Sequence, residues 1–92
     1  MYLKWFWIFV IDLYAVRSNT NAQNAQKRGF LTDVIPYDIP GKGTVSLDNG
    51  IRVNTMERMG ELKAAFIKPH GTITVASSAY LADGATAAVI TT

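Results

Sequence analysis

Asp48-Asn49-Gly50-Ile51-Arg52, followed by Leu62-Lys63-Ala64-Ala65-Phe66, Gly71-Thr72-Ile73-Thr74 and Asp83-Gly84-Ala85, is the run on which the fold of this chain turns. Asp48-Asn49-Gly50 is a strong turn signal, because Asp and Asn side chains bond their own backbone and Gly accepts the backbone angles that follow. Asn54 stands three residues before Glu57 in the manner of a capping box, and Met56, Met59 and Leu62 recur at helical spacing, which predicts a short helix. Pro69-His70-Gly71 breaks the chain again. The β-branched run from Thr72 to Ala76 then reads as a strand, and Ala85 to Thr92, ending Val89-Ile90-Thr91-Thr92, reads as a buried one. That last run reaches the end of the chain without a closing turn, so the expectation is a piece cut within a domain, with strands missing their sheet neighbours.

Towards the N-terminus, Gly41-Lys42-Gly43 is a turn, and Thr44 to Leu47 alternates Val45 and Leu47 as a short strand of a hairpin. Leu31 to Ile39 is confined to an edge or an extended arm, since Pro36 and Pro40 cannot donate to a ladder. Asp12 to Arg28 predicts a helix. Asp12 is its expected N-cap, Ala15, Ala22 and Ala25 its heptad-like seam, and Gly29 the left-handed residue that stops it after Lys27 and Arg28. Asn19, Asn21 and Asn24 lower the propensity of its middle, so packing has to supply the remainder.

The first eleven residues are a separate matter. Trp5 to Ile11 is apolar throughout, bracketed by Lys4 and Asp12, and is expected to be either a buried strand or a stretch foreign to the rest of the fold. Seven residues fall short of the roughly 20 that a bilayer span requires. A secretory signal would need small residues at a cleavage site where Asp12-Leu13-Tyr14 stands, and no Arg-rich, acid-free transit peptide is readable. An interfacial aromatic anchor is the remaining membrane reading.

The 92 residues carry 9 Lys+Arg against 7 Asp+Glu, a net charge of +2, with no cysteine and one histidine. Cysteine nucleophiles, disulfides, thiolate metal sites and histidine metal clusters are thereby excluded from this chain. The basic residues are scattered, with only Lys27 and Arg28 adjacent, so the footprint of a nucleic-acid binder is missing.

In their order and spacing, the segments from Asp48 to Ala85 resemble the thiolase family. Asp33-Val34-Ile35-Pro36-Tyr37 with Pro40-Gly41-Lys42 looks most like the branch that forms the beta, or 3-ketoacyl-CoA thiolase, subunit of the mitochondrial trifunctional protein. The resemblance runs over residues 12–92 and leaves residues 1–11 as a non-family aromatic stretch. It implies an α/β architecture, a partial thiolase fold comprising the end of the loop domain and the last part of the N-terminal half. It implies an acyltransferase of fatty-acid β-oxidation that takes coenzyme A or acyl-CoA as substrate and holds no covalently bound cofactor. It further implies a mitochondrial location, oligomerisation, a hydratase/dehydrogenase (alpha) partner subunit and peripheral association with the inner membrane.

Thiolases work through an activated cysteine thiolate beside an oxyanion hole. The family's catalytic cysteines and histidine therefore fall outside this chain, and His70, in a Pro-His-Gly turn, is read as a turn residue. What the resemblance carries over is coenzyme A contact. Arg52 and Arg58 fall near the nucleotide end, Phe66 at the aromatic lining of the pantetheine channel, and Ser78 beside them; Arg52 as a solvated turn residue and Phe66 as a core residue are the alternatives. Three positions depart from the family pattern: Ser77 stands at an asparagine, Ala79 at a serine that meets the pantetheine, and Ala64 at a proline. The competing reading is a non-catalytic small protein that binds a thiolase or trifunctional-protein subunit.

Overall fold

The structure, a computed structural model, describes residues 2–92. One long helix, α1 (Tyr2–Arg28), is followed by a hairpin of β1 (Tyr37–Ile39) and β2 (Gly43–Val45), a short helix α2 (Met56–Gly60) and a single 3-10 turn at Val75–Ser77. The helix α1 begins ten residues earlier than the sequence predicts. Trp5 to Ile11 is helical rather than a strand, and Asp12 is an interior residue rather than an N-cap. Extending an existing helix adds one hydrogen bond per residue fixed. Neither Gly nor Pro interrupts residues 2–28, so propagation overrides the β preference of the aromatic run.

The helix ends where the sequence places its stop. Gly29 adopts φ 70, its N–H donates to the Gln26 carbonyl at 3.2 Å, and the Phe30 N–H reaches back to the Ala25 carbonyl at 3.1 Å. Together these bonds make a Schellman cap with Gly29 at C′. The predicted seam is also present: Ala15 is buried, and Ala22 and Ala25 are half-buried.

The hairpin closes around Pro40-Gly41-Lys42, with Lys42 N–H donating to the Ile39 carbonyl at 3.0 Å and Gly41 and Gly43 at φ 77 and 95. Tyr37 pairs with Val45 and Ile39 with Gly43; between them the Thr44 hydroxyl donates to the Asp38 carboxylate. Pro36 and Pro40 flank β1 as an edge element, as expected. The turn at Asp48–Gly50 is real, with Gly50 N–H donating to Asp48 Oδ1 at 2.7 Å, but it leads out of the hairpin rather than closing it.

The helix α2 is capped one residue later than the sequence predicts. Thr55, not Asn54, accepts the Arg58 N–H at 3.3 Å on its hydroxyl. Glu57 is held below the usual carboxylate range first by its own backbone N–H and then by the Thr55 hydroxyl. The strand expected over Thr72–Ala76 is reduced to one bridge between Ala64 and Thr74, after which the chain turns. Ala85–Thr92 is irregular, with Val89 91% and Ile90 95% exposed, which corrects the reading of a buried strand. A β-branched run needs a paired and half-buried surface to become a strand, and no other strand lies beside it among the described residues.

Among the described residues, only Ala15, Met59 and Ala64 form the buried apolar centre, where α1 meets α2 and the 3-10 turn. The radius of gyration is 17.6 Å, against about 12 Å for a compact chain of this length. The accessible surface of 8584 Å² exceeds by about 3,300 Å² what a folded monomer of 10.1 kDa leaves in water. The arrangement is therefore a set of elements waiting for further surface to pack on. The isolated 92-residue chain is expected to lose its circular dichroism gradually on heating, without a cooperative transition; a sharp sigmoidal melt would contradict this.

Asp12 generates a second expectation. It is 3% exposed with Oδ1 unpartnered, and burial raises its carboxyl above the usual range. A carboxyl that binds its proton more tightly when α1 is docked favours docking in acid, fully so below the unfolded-state value. That contribution is lost as pH rises through the docked-state value. Amide-exchange protection of Ile8–Asn19, corrected for intrinsic rates, should fall with rising pH across and above the ordinary carboxylate range. Asp12→Asn should flatten the profile, and an unchanged profile would remove Asp12 as its source.

Candidate functional site

The inner face of α1, the turn at Asp48–Gly50, α2 and the segment after the 3-10 turn enclose a hollow of about 760 Å³, within the size range of small-molecule sites. Asn19 builds it. Its Nδ2 donates to the Ala15 carbonyl at 2.9 Å, and its Oδ1 accepts the Arg52 N–H at 2.9 Å, so one side chain joins the long helix to the turn. The sequence reading takes Asn19 only as a weak helix former. Its signal is that same defect: a mid-helix amide with poor propensity has to be used by something outside the helix.

Arg52, Arg58 and Ser78 all line this hollow. Arg52 is exposed just after the turn, so the solvated-turn reading and the ligand reading describe the same position. Arg58 is placed by the first turn of α2 and pairs with Glu61 at 3.2 Å, with both side chains 67% exposed. A surface pair of this kind is worth about 0–1 kcal/mol, less than a charge-assisted bond to a phosphate, so Arg58 is readily surrendered to an anion. Asp48 stands on the same wall, so the rim holds two guanidinium groups against one carboxylate.

Ser78 donates from its hydroxyl to the Thr74 carbonyl at 2.7 Å, leaving its lone pairs free to accept. Ser77 is spent locally, accepting the Thr74 N–H at 3.0 Å and donating to the Thr74 carbonyl at 3.2 Å. Ala79, carrying no hydroxyl, lines the same hollow. Tyr80 and Leu81 complete its outer wall, and neither is singled out by the sequence.

Phe66 is not brought to this group. It is 75% exposed on the loop after Ala64 and does not line the hollow. The loop that carries it is tightly constrained at its far end. Gly71 N–H donates to the Ile67 carbonyl, and a Cβ at Gly71 would stand 2.6 Å from that oxygen and 3.1 Å from the Ala64 Cβ. His70 lies in this loop, where its carbonyl accepts from the Lys4 ammonium. No cluster of His, Asp or Glu able to hold a metal occurs among the described residues.

Residues 10–92 match the thiolase N-terminal domain family. The chain is 54% identical over 79 residues to the mitochondrial trifunctional enzyme subunit beta of Rattus norvegicus, covering 86% of this chain and 17% of that protein. It is 53% identical over 83 residues to a probable 3-ketoacyl-CoA thiolase of Caenorhabditis elegans, covering 88% of this chain and 18% of the other. Acetyl-CoA acetyltransferase, mitochondrial, of Danio rerio is 36% identical over 86 residues. The chain thus spans about a fifth or less of the relatives it matches. A match over nearly its whole length, on elements that fold as a helix, a small sheet and a capped short helix, makes this chain a member of the thiolase family corresponding to part of the thiolase N-terminal domain.

Proposed function

We propose that this chain is the coenzyme A-contacting part of a 3-ketoacyl-CoA thiolase of mitochondrial fatty-acid β-oxidation, an enzyme that transfers an acyl group to coenzyme A. The observation that carries the reading is the convergence of Arg52, Arg58 and Ser78 on one hollow in a chain 54% identical to a trifunctional enzyme beta subunit. The two guanidinium groups suit the phosphates and adenine of the nucleotide end, by charge-assisted bonds and by stacking. The Ser78 oxygen accepts from an amide N–H of the pantetheine arm. Phe66 joins this site only if its loop folds inward when further surface covers it. The boundary at residue 12 between the aromatic stretch and the family portion belongs to the same proposal.

The chemical step lies elsewhere. Forming the acyl-enzyme needs a thiolate, and this chain has no cysteine. The working assembly we infer is an oligomer with a hydratase/dehydrogenase partner subunit, in the mitochondrion; the relatives' names, each the beta subunit of a mitochondrial enzyme, support a partner subunit and that location. A second reading, a non-catalytic protein that docks on a thiolase subunit, is favoured by the missing cysteine together with the large uncovered surface.

Purified 92-residue chain is expected to show no thiolysis of acetoacetyl-CoA; turnover above the buffer rate would overturn the requirement for a cysteine. Coenzyme A should bind it weakly, and Arg52→Ala with Arg58→Ala should weaken binding about tenfold, as loss of two charged contacts predicts. Calorimetric titration reads this directly. Binding that is indifferent to both arginines would move the site away from the hollow.

A further inference from the structure

Of the five asparagines in this chain, Asn49 alone precedes a glycine. The backbone nitrogen that follows an asparagine can attack the side-chain amide and close a cyclic imide, and the main obstacle is the bulk of the following side chain. Gly50 presents none. Asn49 is exposed on the turn, so its side chain is free to rotate towards that nitrogen.

The turn prepares the nitrogen. Gly50 N–H donates to Asp48 Oδ1 at 2.7 Å, a charge-assisted bond. A Cβ at Gly50 would stand 3.1 Å from that oxygen and 3.4 Å from the Tyr80 ring, and the Arg52 N–H is pinned to Asn19 at 2.9 Å. The nitrogen is thus held against the carboxylate between fixed points. Loss of its proton and its attack do not interfere: the proton leaves in the plane of the peptide group towards Asp48, whereas the electron pair that attacks stands above that plane.

We infer that Asn49 is a self-modifying site, whose side-chain amide is displaced by the Gly50 nitrogen with Asp48 as base, and that the carboxylate left behind weakens the anion-holding rim of the hollow. A bond forms between the Gly50 nitrogen and Asn49 Cγ while the proton passes to Asp48. Asp48 returns it to the side-chain nitrogen, the Cγ–N bond of the amide breaks, and ammonia leaves a succinimide. Water then opens the imide at Cγ, giving aspartate at position 49, or at the backbone carbonyl, giving isoaspartate. One water is consumed, one ammonia is released, and nothing is oxidised or reduced. Asn49 lines the hollow beside Arg52 and Arg58, so two guanidinium groups then face two carboxylates on the rim instead of one. The effect on coenzyme A rests on the function proposed above; the modification does not.

Incubating the 92-residue chain in heavy-oxygen water at neutral pH, then digesting it in ordinary water for peptide mapping by mass, tests the modification. Heavy oxygen should enter position 49 ahead of Asn19, Asn21, Asn24 and Asn54, as a mixture of aspartyl and isoaspartyl peptides. Asp48→Ala should slow this about tenfold, short of the roughly hundredfold contributed by a well-matched base. Urea, which breaks the Asp48–Gly50 bond and leaves the sequence intact, should slow the parent chain towards the rate of the variant. Even labelling of all the asparagines overturns the inference. So does labelling that is unchanged or quickened by Asp48→Ala and by urea, for the bond would then only restrain Gly50. For the rim, Asn49→Asp should bind coenzyme A about fivefold more weakly than fresh parent chain, as one added like charge predicts; equal affinity overturns that consequence. Fresh chain that takes up no coenzyme A sinks the coenzyme A reading alone, because the peptide map decides the modification without any ligand.

Discussion

The side-chain amide of Asn19 joins the two halves of the molecule, one hydrogen bond holding the α1 backbone and the other the backbone of Arg52, thirty-three residues away. With the apolar centre reduced to Ala15, Met59 and Ala64, burial supplies little of the force that keeps α1 beside the turn and α2. Each hydrogen bond contributes about 1 kcal/mol net, which is modest in a full domain and a large share here. The hollow that gathers Arg52, Arg58 and Ser78 exists because this contact fixes one wall while the Thr55 cap orients the other.

Local signals in the sequence are honoured in the structure almost to the residue. Gly29 stops α1, Pro36 and Pro40 hold β1 to an edge, and Asp48-Asn49-Gly50 turns; each acts through its own backbone and needs no partner. The cap of α2 moves by one residue because Thr55 and Asn54 are both competent and only geometry chooses. The misses are the elements that depend on what lies beside them. Trp5–Ile11 has the composition of a strand but continues a helix, and Val89 and Ile90 have the composition of a strand but no strand to join.

The site divides along the same line. Arg52, Arg58 and Ser78 enter by resemblance, and they reach one hollow because the turn and the cap that carry the arginines are local and Ser78 follows closely on the bridge at Thr74. Phe66, drawn from the same resemblance, lies off the hollow, because its loop is placed by the contact of Gly71 with Ile67 rather than by anything in the aromatic residue itself. Asn19 stays hidden because its value is a contact across thirty-three residues, which no window of sequence contains.

The two surfaces of α1 do not compete. Ser18, Asn19 and Ala22, which wall the hollow, lie on the inner side of the helix, while Phe6, Phe9 and Leu13 lie on the outer side and towards the N-terminus. A ligand in the hollow leaves the aromatic face untouched, and the helix between them is one uninterrupted rod. Lys4 adds a constraint on this geometry, since its bond to the His70 carbonyl ties the aromatic end to the loop bearing Lys63 and Lys68. An apolar face with its charges turned inward is unfavourable for a chain alone in water, and it becomes favourable only where the outer side is no longer water.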